Sequence, residues 1–258
     1  MSASISTRGH VAKVLIARDL RLFFTQRSRV IGALAQPLLF WLILGTGLAP
    51  SFRMPGAENG PGYMEFFFPG VVMMMLLFTS ISTTMSVIED RHQGFMQGVL
   101  AAPGSRAATA IGKSVGGALV GLLHAVLLLL LMPLAGYPYL DASWIAVILS
   151  LSLSALGLTA VGFVIAWKLD SSAGYHVVMS VVLLPLWVLS GAIFPLEATH
   201  PVMAWIGRMN PMSYAVTAFR DGLSGAPLGE TALPLAILAA LTAAALFAAT
   251  RVARKGGI

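Results

Sequence analysis

Long apolar runs alternate along the chain with short connections that are polar or rich in Gly and Pro. The runs fall at 30–48, 66–88, 114–134, 143–167, 175–196 and 231–250, and none contains Asp, Glu, Lys or Arg. A helix of about 20 mostly apolar residues crosses the roughly 30 Å hydrocarbon core of a bilayer. The pattern therefore predicts an all-α, polytopic membrane protein with six transmembrane helices in one domain, 1–258.

Three other segments have structure of their own. Across 10–28 a helical wheel gathers His10, Lys13, Arg21, Thr25 and Ser28 on one arc. Val11, Ala12, Leu15, Ile16, Leu20, Leu22 and Phe23 fill the other half, and Asp19 and Phe24 are misplaced. This reads as an amphipathic helix in the headgroup layer; the alternative is a loosely ordered basic arm on anionic lipid. The connection 89–106 is charged at its start and apolar at Phe95, Met96, Val99 and Leu100, a four-residue spacing that predicts a short helix stopped at Pro103 and Gly104. In the connection 197–230, Asn210 suits an N-cap and Pro211 a first helical position. A helix over 211–221 would then end at Gly222 as its C-cap.

Composition narrows the class. The chain is 57% hydrophobic and only 10% charged, against about 25% charged in ordinary soluble domains, so a soluble fold and a disordered chain are both excluded. There is no cysteine, hence no disulfide framework, thiolate metal site or cysteine nucleophile. The net charge of +6 reports orientation rather than nucleic-acid binding. Of the 16 Lys and Arg, 13 fall in the N-terminal arm, the connections after spans two and four, and the C-terminal tail. By the positive-inside rule both termini are expected to be cytoplasmic. The first apolar run comes late and is long enough to remain as a span, unlike a secretory signal.

Several chemistries lack their residues. With no charge inside the spans, an ion-coupled carrier is disfavoured, and His124 and His176 read as packing residues. No zinc-protease HExxH occurs. Ser224, in Gly222-Leu223-Ser224-Gly225, has no histidine after it in the chain to serve as a base. Gly112-Lys113-Ser114 lacks the earlier glycine of a phosphate loop, since position 107 is Ala. Lys113 reads instead as a basic anchor at the end of span three. The pairs Gly112/Gly116 and Gly117/Gly121 predict close helix packing, against a neighbour in this chain or in another.

Two stretches carry a family resemblance. Glu89, Arg91, Gly94, Phe95, Met96, Leu100, Pro103 and Arg106, followed by Gly112-Lys113, resemble the coupling-helix region of type-2 ATP-binding-cassette (ABC) exporter permeases. Phe95, Gln97 and Ala102 depart from the residues usual there. Leu189-Ser190-Gly191, Pro195-Leu196, Asn210-Pro211-Met212-Ser213-Tyr214 and Arg220 resemble the pattern before the last span of the same family. The resemblance implies a non-catalytic transport subunit in the bacterial cytoplasmic membrane, working as a homodimer or heterodimer with two copies of a separate ATPase that binds ATP and Mg. No cofactor is expected in this chain, and no nucleic acid among its partners, which otherwise include membrane lipid. It further implies an ATPase contact at 89–106 and short re-entrant helices over 197–230, where an interfacial hairpin is the alternative. Spans two and five would face the dimer axis, with Phe68, Met75, Phe78, Met179, Leu183 and Trp187 as candidate lining. An uncharged lining of Met and Phe would suit a hydrophobic or amphiphilic cargo such as a drug, a lipid or a lipid-linked glycan. An ion-coupled carrier or channel, or a non-transporting membrane scaffold, stays open beside this reading.

Overall fold

A computed structural model describes residues 2–52, 60–95, 98, 105–196 and 199–255. Among these residues the chain is helical, without strands. The helices are α1 (Ser2–Thr25), α2 (Arg27–Leu48), α3 (Tyr63–His92), α4 (Ser105–Leu129), α5 (Trp144–Lys168), α6 (Ser172–Trp187), α7 (Pro201–Met209), α8 (Pro211–Leu223) and α9 (Leu228–Lys255). Six of them, α2 to α6 and α9, contain stretches long and apolar enough to cross a membrane.

Each spanning helix takes its place according to how completely it is apolar. Helix α3 is hydrophobic around its whole circumference and forms the centre, with Phe66 to Leu77 all buried. It packs on α4, α5, α2 and α6, while α9 closes over α5 and α4. By contrast α2, α6 and α9 bury one side and expose the other, leaving Ile31, Leu39 and Ile43 on α2 and Val177 and Val181 on α6 uncovered.

The two small-residue pairs of α4 face different neighbours. A Cβ on Gly112 would stand 2.9 Å from Ala12 Cα, and one on Gly116 2.7 Å from Asp19 Oδ2, so this pair receives α1. A Cβ on Gly117 would stand 2.5 Å from Thr159 Cγ2 and 2.7 Å from Thr83 Oγ1, and one on Gly121 3.2 Å from Leu76, so the second pair receives α5 and α3. The neighbours therefore lie within this chain.

Several boundaries differ from the sequence reading. The first helix covers Ser2–Thr25 rather than 10–28, and α2 already starts at Arg27. Its inward face rests on α4, which explains the misplaced Asp19: it is buried at 7% exposure. Span two continues to His92, so Glu89, Asp90 and Arg91 are helical rather than part of a loop. Span three begins at Ser105 and stops at Leu129. Gly222 does not end α8; its carbonyl accepts from Ser143 N–H at 2.8 Å, and the helix runs on to Leu223. The turn that follows uses Gly225 at φ 72°, where a side chain would also run into the Asp141 carbonyl.

Packing of this kind predicts a specific sensitivity. Gly117→Leu should destabilise the fold by about 1–3 kcal/mol through overpacking against Thr159 and Thr83. Gly229→Ala, with nothing within 4 Å of its added Cβ, should be neutral. Thermal melts in detergent check both, and an unchanged Gly117→Leu melt would contradict the packing.

Candidate functional site

Two clusters tie the helices together, one at each end of the bundle. At the end carrying residues 93–104, four charged side chains meet. Arg18 of α1 donates to both carboxylate oxygens of Asp90 on α3, at 2.6 and 2.7 Å. Lys113 of α4 extends its ammonium to Asp90 Oδ2 at 3.0 Å, Asp19 Oδ1 at 3.3 Å and Ser86 Oγ at 3.1 Å. Three donors thus meet three acceptors. The Lys113 side chain is 1% exposed and that of Asp90 2%, so each charge is stable there only because it is paired. Lys113, read from the sequence as a basic anchor at the end of span three, is buried here and held by ion pairs. The hydrogen bonds from Arg18 to Asp90 hold its guanidinium above its ordinary pKa. Burial pushes the Asp19 carboxyl up, against the pull of Lys113.

The same cluster reaches the segment expected to contact a partner. Arg18 lies over the Phe95 ring, 4.5 Å from its centroid. One residue beyond Asp90, Arg91 donates to the Ala166 and Trp167 carbonyls, both at 3.0 Å, and to Asp170 Oδ1 at 2.9 Å. It thereby caps the last carbonyls of α5 with a cation. His92 adds a contact of 2.7 Å to the Asp170 carbonyl. Glu89 and Arg106 are exposed on α3 and α4, and Gly94 turns the chain at φ 76° ahead of the exposed Phe95. Met96, Leu100 and Pro103 lie outside the described residues.

At the opposite end, span five breaks. After Trp187 the helix widens into a π-turn, Val188–Ala192, and Gly191 adopts φ 78°. A break frees backbone carbonyls that a membrane interior cannot hydrate. Here side chains satisfy them. Arg220 donates to Gly191 O at 2.9 Å and Phe66 O at 3.3 Å, with its guanidinium 4.3 Å from the Phe66 ring. Tyr63 Oη donates to Ile193 O at 3.0 Å. Asn210 donates through Nδ2 to Leu186 O while its Oδ1 accepts from Met212 N–H at 3.0 Å, capping α8 with Pro211 at its first turn. Tyr214 Oη donates to Arg208 O at 2.8 Å. Pro195 lies in the irregular stretch after the break.

The six candidate lining residues separate. Phe68, Met75, Met179, Leu183 and Trp187 are buried within the protomer. Trp187 Nε1 donates to Gly70 O at 2.8 Å, and Phe68 meets Trp41 edge-on at 5.4 Å. Phe78 is the one that faces the larger cavity, about 400 Å³ between α1, α2, α3, α4 and α6. Leu183 borders a smaller one of about 140 Å³ among α5, α6, α8 and α9. His124, whose Nδ1 lies 2.9 Å from the Val120 carbonyl, also lines the larger cavity, as does His176.

Sequence reasoning passed over the ionic cluster itself. The available signal was a charge on an apolar arc, Asp19, and a lysine, Lys113, set between the small residues where helices approach.

Relatives can now be set beside this geometry. The family described as ABC-2 family transporter protein matches residues 49–251. A putative transport permease, ycf38, of Cyanophora paradoxa is 29% identical over 210 residues, covering 78% of this chain and 70% of that protein. Nodulation protein J of Rhizobium leguminosarum bv. viciae is 23% identical over 225 residues, covering 82% and 81%. The inner membrane transport permease YadH of Escherichia coli K12 is 26% identical over 188 residues, covering 72% of each.

The cluster makes a prediction about stability. Lys113→Met leaves Asp19 and Asp90 buried with one fewer cation and should destabilise by about 3–5 kcal/mol. Lys113→Met combined with Asp90→Asn should recover part of that loss. Denaturation midpoints of the single and double variants check it.

Proposed function

The chain belongs to the ABC-2 family of transporter proteins, as a non-catalytic, multi-pass permease subunit whose ATPase lies in a partner subunit, and on that premise we propose that it is the membrane half of an ATP-driven exporter. Two permease copies and two ATPase subunits form the working unit. It sits in a bacterial inner membrane with both termini on the cytoplasmic side, and moves a hydrophobic or amphiphilic cargo.

The observation that carries the coupling role is the anchoring of segment 89–106. Asp90 ties it to α1 and α4, and Arg91 ties it to the end of α5. A force applied by an ATPase at Phe95 would pass into α3 and reach three further helices through bonds of about 3 Å or less. The exposed apolar faces of α2 and α6 are surfaces that lipid or a second permease copy would cover. The surplus of Lys and Arg at the 93–104 end supports the orientation. The printed name of the YadH relative supports the inner membrane. Phe78 and the cavity it faces support a route along α3.

Two experiments test the reading. Met96→Asp and Leu100→Asp should each abolish nucleotide-dependent transport in proteoliposomes containing the ATPase, while membrane insertion and melting stay unchanged; full transport would remove the coupling role. A cysteine at Gly104 should react with a membrane-impermeant maleimide only in inverted vesicles. Labelling in intact spheroplasts would reverse the topology.

A further inference from the structure

Spans four, five and six leave a space that the coupling role does not use. Helix α9 packs along α5, while α6 packs mainly on α3. A cavity of about 140 Å³ remains where α5, α6, α8 and α9 face one another. Gly157 lines it and draws α9 close, since a Cβ there would stand 2.9 Å from Thr242 Oγ1. Pro211 and Met212, at the start of α8, border it toward the end opposite residues 93–104. Its α5 residues, 153–161, lie around the middle of that 25-residue helix. The cavity thus runs from the α8 end of the bundle to the level of the bilayer centre.

Its wall offers water nothing to hold. Leu158, Leu183, Leu238 and Ala245 supply hydrocarbon, and the two hydroxyls have already spent their protons. Thr242 Oγ1 donates to Leu153 O at 3.0 Å, and Ser154 Oγ to Ser150 O at 2.6 Å. None of the described buried side-chain atoms without a hydrogen bond belongs to this wall. A buried water needs two to four polar partners, whereas a dry apolar cavity of about 150 Å³ accepts a hydrocarbon the size of benzene. The mouth opens on hydrocarbon too. Val161 and Leu241 stand at the edge of the cavity, 37% and 41% exposed, each on a helix that crosses the membrane. A helix of a second copy, about 10–12 Å across with its side chains, is too thick to enter. A single flexible hydrocarbon chain is not.

We propose that the terminal carbons of a phospholipid acyl chain occupy this cavity, passing Val161 and Leu241 and ending among Leu183, Leu238 and Met212. Acyl chains end at the bilayer centre, which is the level the cavity reaches. The chain supplies, between α6 and α9, dispersion contacts that protein atoms leave unmade. The lipid is thereby a packing element of the interrupted span. The proposal rests on the six spans alone, so it is measured with no ATPase and no nucleotide.

The test is photo-crosslinking of the whole chain in phosphatidylcholine nanodiscs. A fraction of the lipid carries a diazirine on the last carbons of one acyl chain, and adducts are mapped by mass spectrometry. Leu183, Leu238 and Met212 are 4%, 6% and 5% exposed, out of reach of chains that only pass over the surface. They should nonetheless carry adducts, as the exposed Val181 and Phe247 do. Ala245→Trp fills the cavity from α9 and Leu158→Trp fills it from α5. Each should remove the adducts from the three buried residues and leave those on Val181 and Phe247. Absence of adducts from the three in the parent protein would overturn the proposal. So would adducts that persist there in both filled variants when these melt like the parent. The chain has no cysteine, so Val161→Cys also tests the other occupant. It should stay monomeric under oxidation, and a disulfide joining two copies through it would put a second permease over the mouth and end the proposal.

Discussion

A lysine ammonium buried in a helix bundle is the constraint on which the end of this protein where α1, α3 and α4 meet depends. Lys113 cannot reach water at 1% side-chain exposure, and an unpaired ammonium there would be unstable or neutral. It must be met by carboxylates, and these come from two other helices. That requirement sets α1 against α4, with Asp19 inward. It sets the end of α3 beside both, with Asp90 between Lys113 and Arg18. Directional ionic contacts specify one arrangement where apolar packing alone would accept several.

The opposite end meets the same dielectric problem in backbone form. The break at Gly191 releases carbonyls in the middle of apolar surroundings. Arg220, Tyr63 and Asn210, from two different helices, each donate to one of them. The irregular backbone persists because it is enclosed by protein donors rather than lipid. Span five is thereby fastened to α3 and α8 at its broken end. Its other end leaves Val177 and Val181 exposed. Between the two ends, helices are held mainly by fit. In a membrane, lipid tails are as apolar as leucine, so close approach over glycine replaces hydrophobic driving force. The four glycines of α4 supply that approach on two faces.

These three devices divide the labour of a transport subunit in physical terms. The ion pairs join α1, α3 and α4 at one end of the bundle, the glycines of α4 set its approach to α1, α3 and α5, and side-chain donors hold the interrupted span at the other end. The larger cavity lies beside the ion pairs and shares Asp19 with them.

The sequence by itself determined the class: six apolar runs, their order, the charge asymmetry and the motif residues all read directly, because length and hydropathy act locally along the chain. It also located the helix-packing glycines, though not their partners. Only the tertiary structure decided that Asp19 and Lys113, 94 positions apart, are one ion pair, and that Phe68, Met75 and Trp187 are buried within the single chain. It also decided that Arg220 stabilises a break 29 residues before it. Such pairings depend on which helix faces which. That is settled by the simultaneous burial of every charge and every freed carbonyl, a condition no local stretch of sequence contains.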